Sequence, residues 1–271
     1  MCREFGRSED ELPDLKKIQN FVGNYRRRHM GGTDARLAIK KMIGEILFSG
    51  KEDNHEPFTF AWKYDTYGNA AVGTESDSDP FLVGITTKNL LLQVSRDPKT
   101  FVMHVDGTYK LNNLEYPIVV VGLSDRARTF HLLALFVTSH QTETQFHEVF
   151  SALRWIYYRV TGSALQVAYV MGDADHAQFN ALADVFGCDS PFRYLMCFFH
   201  VEVKLVEKTR RLPSDLALLV TADVYDLHFS CSNDEFKVRK LVTLTRWGLT
   251  SGLEYFTAYF KAQWLTGKFS A

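Results

Sequence analysis

No stretch of this chain is apolar for long enough to cross a bilayer. The longest runs, Ile118 to Leu123 and Leu132 to Val137, fall far short of the roughly 20 residues a spanning helix needs. Cysteine is equally sparse. Cys2, Cys188, Cys197 and Cys231 are too few and too irregularly spaced for a secreted disulfide framework, which points to a reducing compartment. The opening MCREFGRSEDEL is charged where a signal peptide would be apolar, so the expectation is an intracellular, soluble protein. Excess positive charge is missing too. A formal net charge of -1 argues against a free-standing nucleic-acid binder, so any affinity for DNA has to come from local patches. No internal repeat or low-complexity tract is visible. What is present in quantity is core material: 46% of the 271 residues are hydrophobic and 14% aromatic, ample for one large domain or two modest ones.

The first fifty residues read as helical and polar. Thr33 or Asp34 is placed to cap a helix with an apolar stripe of Ala38, Ile39, Met42, Ile43, Ile46 and Leu47, and Gly50 is expected to stop it. The basic run from Tyr25 to His29 could touch phosphates, although a solvated helix face explains it more simply. From Phe58, FTFAWKYD alternates apolar and polar, and TYGN followed by AAVG suggests a hairpin. The polar break from Glu75 to Pro80 suggests a boundary between an N-terminal segment, 1–80, and a core, 81–210, with a helical insertion over 211–271. A short helix capped at Thr86 or Thr87 leads into the core.

Three strands are predicted in succession, Phe101 to Asp106, Tyr116 to Leu123 and Thr129 to Thr138. Turns at Asn112-Asn113 and Ser124-Asp125 make an antiparallel meander. Thr142 with Gln145 opens a helix by a capping-box pattern, and Phe146, Val149, Phe150, Leu153, Tyr157 and Val160 give it one apolar side. Leu165 to Met171 is a fourth strand reached by a crossover, hence parallel to a central neighbour. A helix from Asp175 to Gly187 and a fifth strand from Phe192 to Cys197 follow. The order β-β-β-α-β-α-β is that of a ribonuclease-H-like fold, an α/β mixed sheet with helices on both faces. Beyond Val201, Ser232 with Glu235 and Ser251 with Glu254 form two more capping boxes. They precede the stripes Phe236, Leu241, Leu244, Trp247 and Leu253, Phe256, Phe260, Trp264. These aromatics suit a buried stripe better than a base-stacking platform.

The chemistry concentrates where apolar strands end in acid. Asp106 closes FVMHVD, and Asp173 closes LQVAYVMGD about 65 residues later. Two carboxylates on neighbouring strand ends can share divalent cations, which suits in-line displacement at a phosphodiester. Asp106 before Gly-Thr could by itself be a turn former, and its pairing with Asp173 is what favours the site. Asp175 lies three before Gln178, where its duty is to cap the helix. Farther on, Cys197 and His200 make a C-x-x-H pair, and His228 and Cys231 an H-x-x-C pair. Together they would supply the two sulfurs and two nitrogens of a structural tetrahedral zinc.

DGTYK, then VMGDADHAQFNALADVFG, then LMCFFHV resemble the Mutator-like (MULE) transposase domain, over roughly residues 80 to 265. That resemblance implies a catalytic domain of the DDE transposase superfamily that cuts DNA at transposon ends. It would join the freed 3′ hydroxyl to target DNA with Mg²⁺ or Mn²⁺, acting in the nucleus, with homo-oligomerisation left open. On it, Asp106 and Asp173 take the first two places of the acidic triad, and Cys197 and His200 the C-x-x-H. The family's glutamate, in a T-N-N-x-x-E-x-x-N type segment, has no counterpart before Ala271, since Glu235 and Glu254 read as capping residues. Little strand transfer is therefore expected of these 271 residues. Two other readings remain open from the sequence, a non-catalytic DNA-binding regulator descended from such an enzyme and a simple nuclease of the same fold.

Overall fold

Alternating apolar side chains bring seven strands into one mixed sheet. A computed structural model describes residues 15–29, 36–60, 66–67, 73, 79–108 and 116–266. In chain order the first elements are α1 (Leu15–His29), α2 (Arg36–Glu45), β1 (Phe58–Phe60), β2 (Leu82–Thr86), α3 (Lys88–Leu92), β3 (Phe101–Thr108), β4 (Ile118–Asp125) and β5 (Phe130–Thr138). There follow α4 (Glu143–Thr161), β6 (Tyr169–Gly172), α5 (His176–Phe186), β7 (Arg193–Met196), α6 (Phe198–Thr209), α7 (Ser214–His228), α8 (Asn233–Leu249) and α9 (Glu254–Phe260). The strand order is β1-β2-β5-β4-β3-β6-β7. The meander β3-β4-β5 is antiparallel, as predicted, while β6 runs parallel to β3 on one side and to β7 on the other.

The pleat decides which face is core. In β3, Phe101, Met103 and Val105 are buried, whereas Val102 and His104 are half-buried and Asp106 is exposed. The buried face meets α3, α4 and α5, and its core includes Leu91, Val121, Phe136, Phe150, Leu153, Val170 and Phe186. The predicted α4 stripe packs there. Its cap is half of the expected box: Thr142 accepts from the Gln145 amide at 3.4 Å, but the buried Gln145 side chain accepts from Thr138 Oγ1 at 2.8 Å instead of reaching back. Asp175 caps α5 as predicted, accepting from the amides of Ala177 and Gln178 at 2.7 and 3.1 Å.

Some local expectations are corrected, and others lie outside the described residues. The partner of β1 is β2, with Phe58 opposite Thr86, and Phe58 and Phe60 enter the same core as the meander. The AAVG arm of the expected hairpin, the turn at Asn112-Asn113 and the caps at Thr33 or Asp34 lie outside the described residues, apart from Gly73. α2 ends at Glu45, before Ile46, and of its stripe Ile43 is buried while Met42 and Ile46 stand in solvent. Gly50 is not its stop; it sits with φ 87° in the turn closed by Glu52. Ser124 and Asp125 finish β4 instead of forming the turn. The Asp125 carboxylate then accepts from the amides of Ala127 and Thr129 at 2.9 and 3.1 Å, around Arg128 at φ 63°.

A second cluster gathers α6 to α9. Trp247 is fully buried at its centre, edge-on to Phe256 and Phe260 at 5.2 and 5.5 Å. This agrees with a buried stripe rather than a stacking platform, except that Leu241 is exposed. α6 lends Val201 and Leu205 to this cluster, and Ala174 and Met196 touch both clusters. Ser232 caps α8, accepting from the Glu235 amide at 3.1 Å, with Glu235 reaching back to the Cys231 amide at 2.7 Å. The last box does not form. Leu253, not Ser251, stands at the start of α9, and Glu254 accepts from the Gly252 amide at 3.0 Å. Among the described residues no helix is long and apolar enough to cross a membrane.

Candidate active site

β3 and β6 run side by side, with Met103 opposite Val170 and His104 opposite Met171. Two residues past the last pair, the same register reaches Asp106 on β3 and Asp173, the residue just after β6 ends at Gly172. Asp106 does not end its strand. Gly107 and Thr108 continue it, opposite Val119 and Ile118. The turn-former explanation of Asp106 therefore has no role to explain, and the carboxylate is exposed at the point where β3 parts from β6.

β7 adds the next step. Gly172 pairs with Met196, so the same parallel register brings Cys197 alongside Asp173. The Cys197 amide donates to the Gly172 carbonyl at 2.8 Å, and the chain turns directly into α6, whose first turn carries His200. His200 Nε2 lies 3.7 Å from Asp106 Oδ1. Asp173, Cys197 and His200 therefore follow the C-terminal ends of β6 and β7, next to the point on β3 where Asp106 stands.

Electrostatically the two aspartates differ. Burial, then the neighbouring Asp175 carboxylate, pushes the Asp173 carboxyl above its ordinary range; His200 pulls it back and Asp106 adds a further upward push. Asp173 Oδ1 is buried without a hydrogen-bond partner, and so is His200 Nδ1. Beneath them the Tyr194 hydroxyl donates to the Asp173 carbonyl at 2.7 Å and lies 3.0 Å from Gln178 Oε1. Burial and Asp173 together hold the Tyr194 phenol well above its usual pKa, so it stays a donor.

That support explains Gly172. A Cβ there would lie 2.1 Å from Gln178 Oε1 and 2.4 Å from the Tyr194 oxygen. Gly172→Ala is expected to cost about 1–3 kcal/mol, as overpacking of a filled site does. It should also disturb the backbone that aims Asp173. Urea unfolding of the variant beside the parent checks the first effect, and cation binding checks the second.

The four candidate zinc ligands are not drawn together. Cys197 and His200 stand at the sheet edge. His228 instead stacks on Phe198, with ring centroids 3.6 Å apart, and burial lowers its pKa. Cys231 is exposed. His228 and Cys231 line a separate cavity of about 540 Å³ with Met171, Phe198 and Trp264, whose wall includes neither Cys197 nor His200. Among the described residues no three His, Cys, Asp or Glu side chains are already close enough to hold a metal ion. The Asp106–Asp173 pair does fit a hard divalent cation in one respect. It offers neighbouring carboxylates with one oxygen buried and unpartnered, and such an ion is often held by only one or two protein carboxylates, with water and phosphate filling the rest.

Reasoning from sequence missed the proximity of His200 to Asp106, and with it the roles of Tyr194 and Gln178 beneath Asp173. Only the C-x-x-H spacing hinted at the first, by putting the histidine one turn into the helix that follows β7.

The family model that describes the MULE transposase domain matches residues 102–204. The matched segment runs from β3 into α6. It contains Asp106, Asp173, Cys197 and His200, and stops before His228 and Cys231. It is narrower than the span suggested by the sequence motifs, and it points to a transposase-type function. No curated protein matches the chain.

Proposed function

We propose that this chain carries the catalytic core of a MULE-type DDE transposase, a ribonuclease-H-like domain that works on DNA phosphodiesters with a divalent cation. The observation that supports the reading is the parallel β3/β6 pairing, Met103 with Val170 and His104 with Met171, which continued by two residues would bring Asp173 level with Asp106. The order β5-β4-β3-β6-β7, antiparallel in the first three strands and parallel after, supports the ribonuclease-H-like assignment. The match over residues 102–204 supports the family.

In this reading Asp106 and Asp173 hold Mg²⁺ or Mn²⁺, which when bound would activate the attacking oxygen and offset charge on the leaving one. Asp106, exposed, faces the DNA side. Asp173 is fixed from behind by Tyr194 through its own carbonyl, so the strand end that carries it is rigid. No third acid joins the pair among the described residues. We therefore propose that these 271 residues bind the cation but cleave and join DNA weakly. That same deficit is the observation that favours the second reading, a non-catalytic DNA-binding or regulatory relative.

The test is a Mn²⁺ titration of the protein beside Asp106→Asn and Asp173→Asn, followed by calorimetry. Binding to the parent that each variant weakens by tenfold or more is the expected outcome. Unchanged binding in both variants would remove Asp106 and Asp173 from the proposed metal site.

A further inference from the structure

We infer that His200 is the third protein donor of this site, coordinating the cation through Nε2 and giving it a nitrogen ligand where an all-carboxylate site would have oxygen. This rests on the reading of Asp106 and Asp173 as the cation-holding pair.

His200 Nε2 stands 3.7 Å from Asp106 Oδ1, longer than a hydrogen bond. Adjacent donors around a cation with bonds of about 2.1 Å lie about 3 Å apart. A side-chain swing of under about 1 Å therefore closes the His200–Asp106 separation to that of adjacent donors. The backbone is already fixed for this: the His200 amide donates to the Cys197 carbonyl at 3.1 Å, and the Cys197 amide ties the start of α6 to Gly172. The His200 side chain is 31% exposed while its Nδ1 is buried, which leaves Nε2 on the side of Asp106. Phe199 packs edge-on to the ring at 5.6 Å. Nothing in the second metal set competes for it, because His228 and Cys231 line another cavity.

A nitrogen donor changes which ion is preferred. Oxygen-only sites suit Mg²⁺ and Ca²⁺, whereas imidazole is accepted more readily by Mn²⁺ and later transition ions. The site is then selective for Mn²⁺ over Mg²⁺ by virtue of His200, and the C-x-x-H spacing is the device that delivers it. Cys197 starts the helix and His200 follows one turn on.

Pulsed EPR of Mn²⁺ added alone to the full chain tests this without any activity. The expected spectrum shows imidazole nitrogen coupling in the parent, lost in His200→Ala. Mn²⁺ affinity in that variant should fall at least about tenfold, the low end of what losing even an outer-sphere partner costs. Mg²⁺ affinity should change less. Circular dichroism of His200→Ala guards against misfolding, and the parent spectrum needs no variant at all. Mn²⁺ bound in the parent, weakened by Asp106→Asn but without nitrogen coupling, would overturn the role of His200 and leave the aspartate pair standing. No Mn²⁺ binding by the parent would overturn both.

Discussion

Asp173→Asn should raise the melting temperature at neutral pH in the absence of divalent cations and lower it, relative to the parent, in their presence. The first half follows from desolvation. Asp173 has its carboxyl pKa raised by burial and by Asp175, so in the folded protein the ionised form is disfavoured. A carboxyl whose folded pKa lies above its unfolded value contributes stability below the unfolded pKa, and that contribution is lost as pH rises through the folded pKa. The parent therefore loses this stability on the way to pH 7, while Asn does not titrate. The advantage of Asp173→Asn should vanish below the ordinary carboxyl value of 3.8. The second half follows from linkage. A cation at 100 times its Kd stabilises the folded parent by about 2.7 kcal/mol, roughly 5–10 °C for a chain of this size. The variant should gain little. Melting curves at pH 7 and pH 3.5, with and without Mn²⁺, check both halves. A variant less stable than the parent in all four conditions would make Asp173 a structural residue.

The second large effect concerns the helical cluster. Asp223 on α7 is 4% exposed, pairs with the Arg246 guanidinium and accepts from the Trp247 indole at 2.7 Å. Asp223→Ala leaves the indole of a fully buried tryptophan without its acceptor and a cation without its partner. Removing one member of such a buried pair costs about 3–5 kcal/mol. Arg246 is half exposed and can turn to water, which favours the lower end of that range. The predicted result is a fall in melting temperature of about 6–12 °C, with tryptophan fluorescence changing in the same transition. A cost under about 1 kcal/mol would mean that water replaces both contacts.

Much of the fold was legible because its signals are local. Apolar alternation marked β3, β4 and β5, and a threonine or aspartate three residues before its amide partner marked the starts of α3, α4 and α5. What escaped depends on partners distant in sequence. Nothing in FTF says that its neighbour will be Leu82–Thr86, a partner distant in sequence. Leu165 and Val167 are buried as expected, yet the strand itself starts only at Tyr169. The preceding segment is held by Ser190, which both donates to the Val167 carbonyl and accepts from its amide. Ser251 had the right spacing for a cap, but Leu253 is driven into the core and becomes the first residue of the helix boundary instead.

The site divides the same way. Asp106 and Asp173 stood out because each comes at the end of an apolar run. His200 was visible only as part of a spacing, and the choice between a zinc set with His228 and a place beside Asp106 is made by tertiary packing, above all the stacking of His228 on Phe198. Tyr194 and Gln178 carried no signal, since a tyrosine in a strand and a glutamine in a helix are ordinary core-edge residues. The small residue at Gly172 was the one clue to them, because close approach from both needs a position without a Cβ.

Anomalous diffraction from crystals soaked in Mn²⁺ tests the central claim most directly. One strong peak is expected within bonding distance of both the Asp106 and Asp173 carboxylates, on the face of the sheet opposite α4 and α5. Mn²⁺ bound elsewhere, or to one of these aspartates with the other turned away, would contradict it.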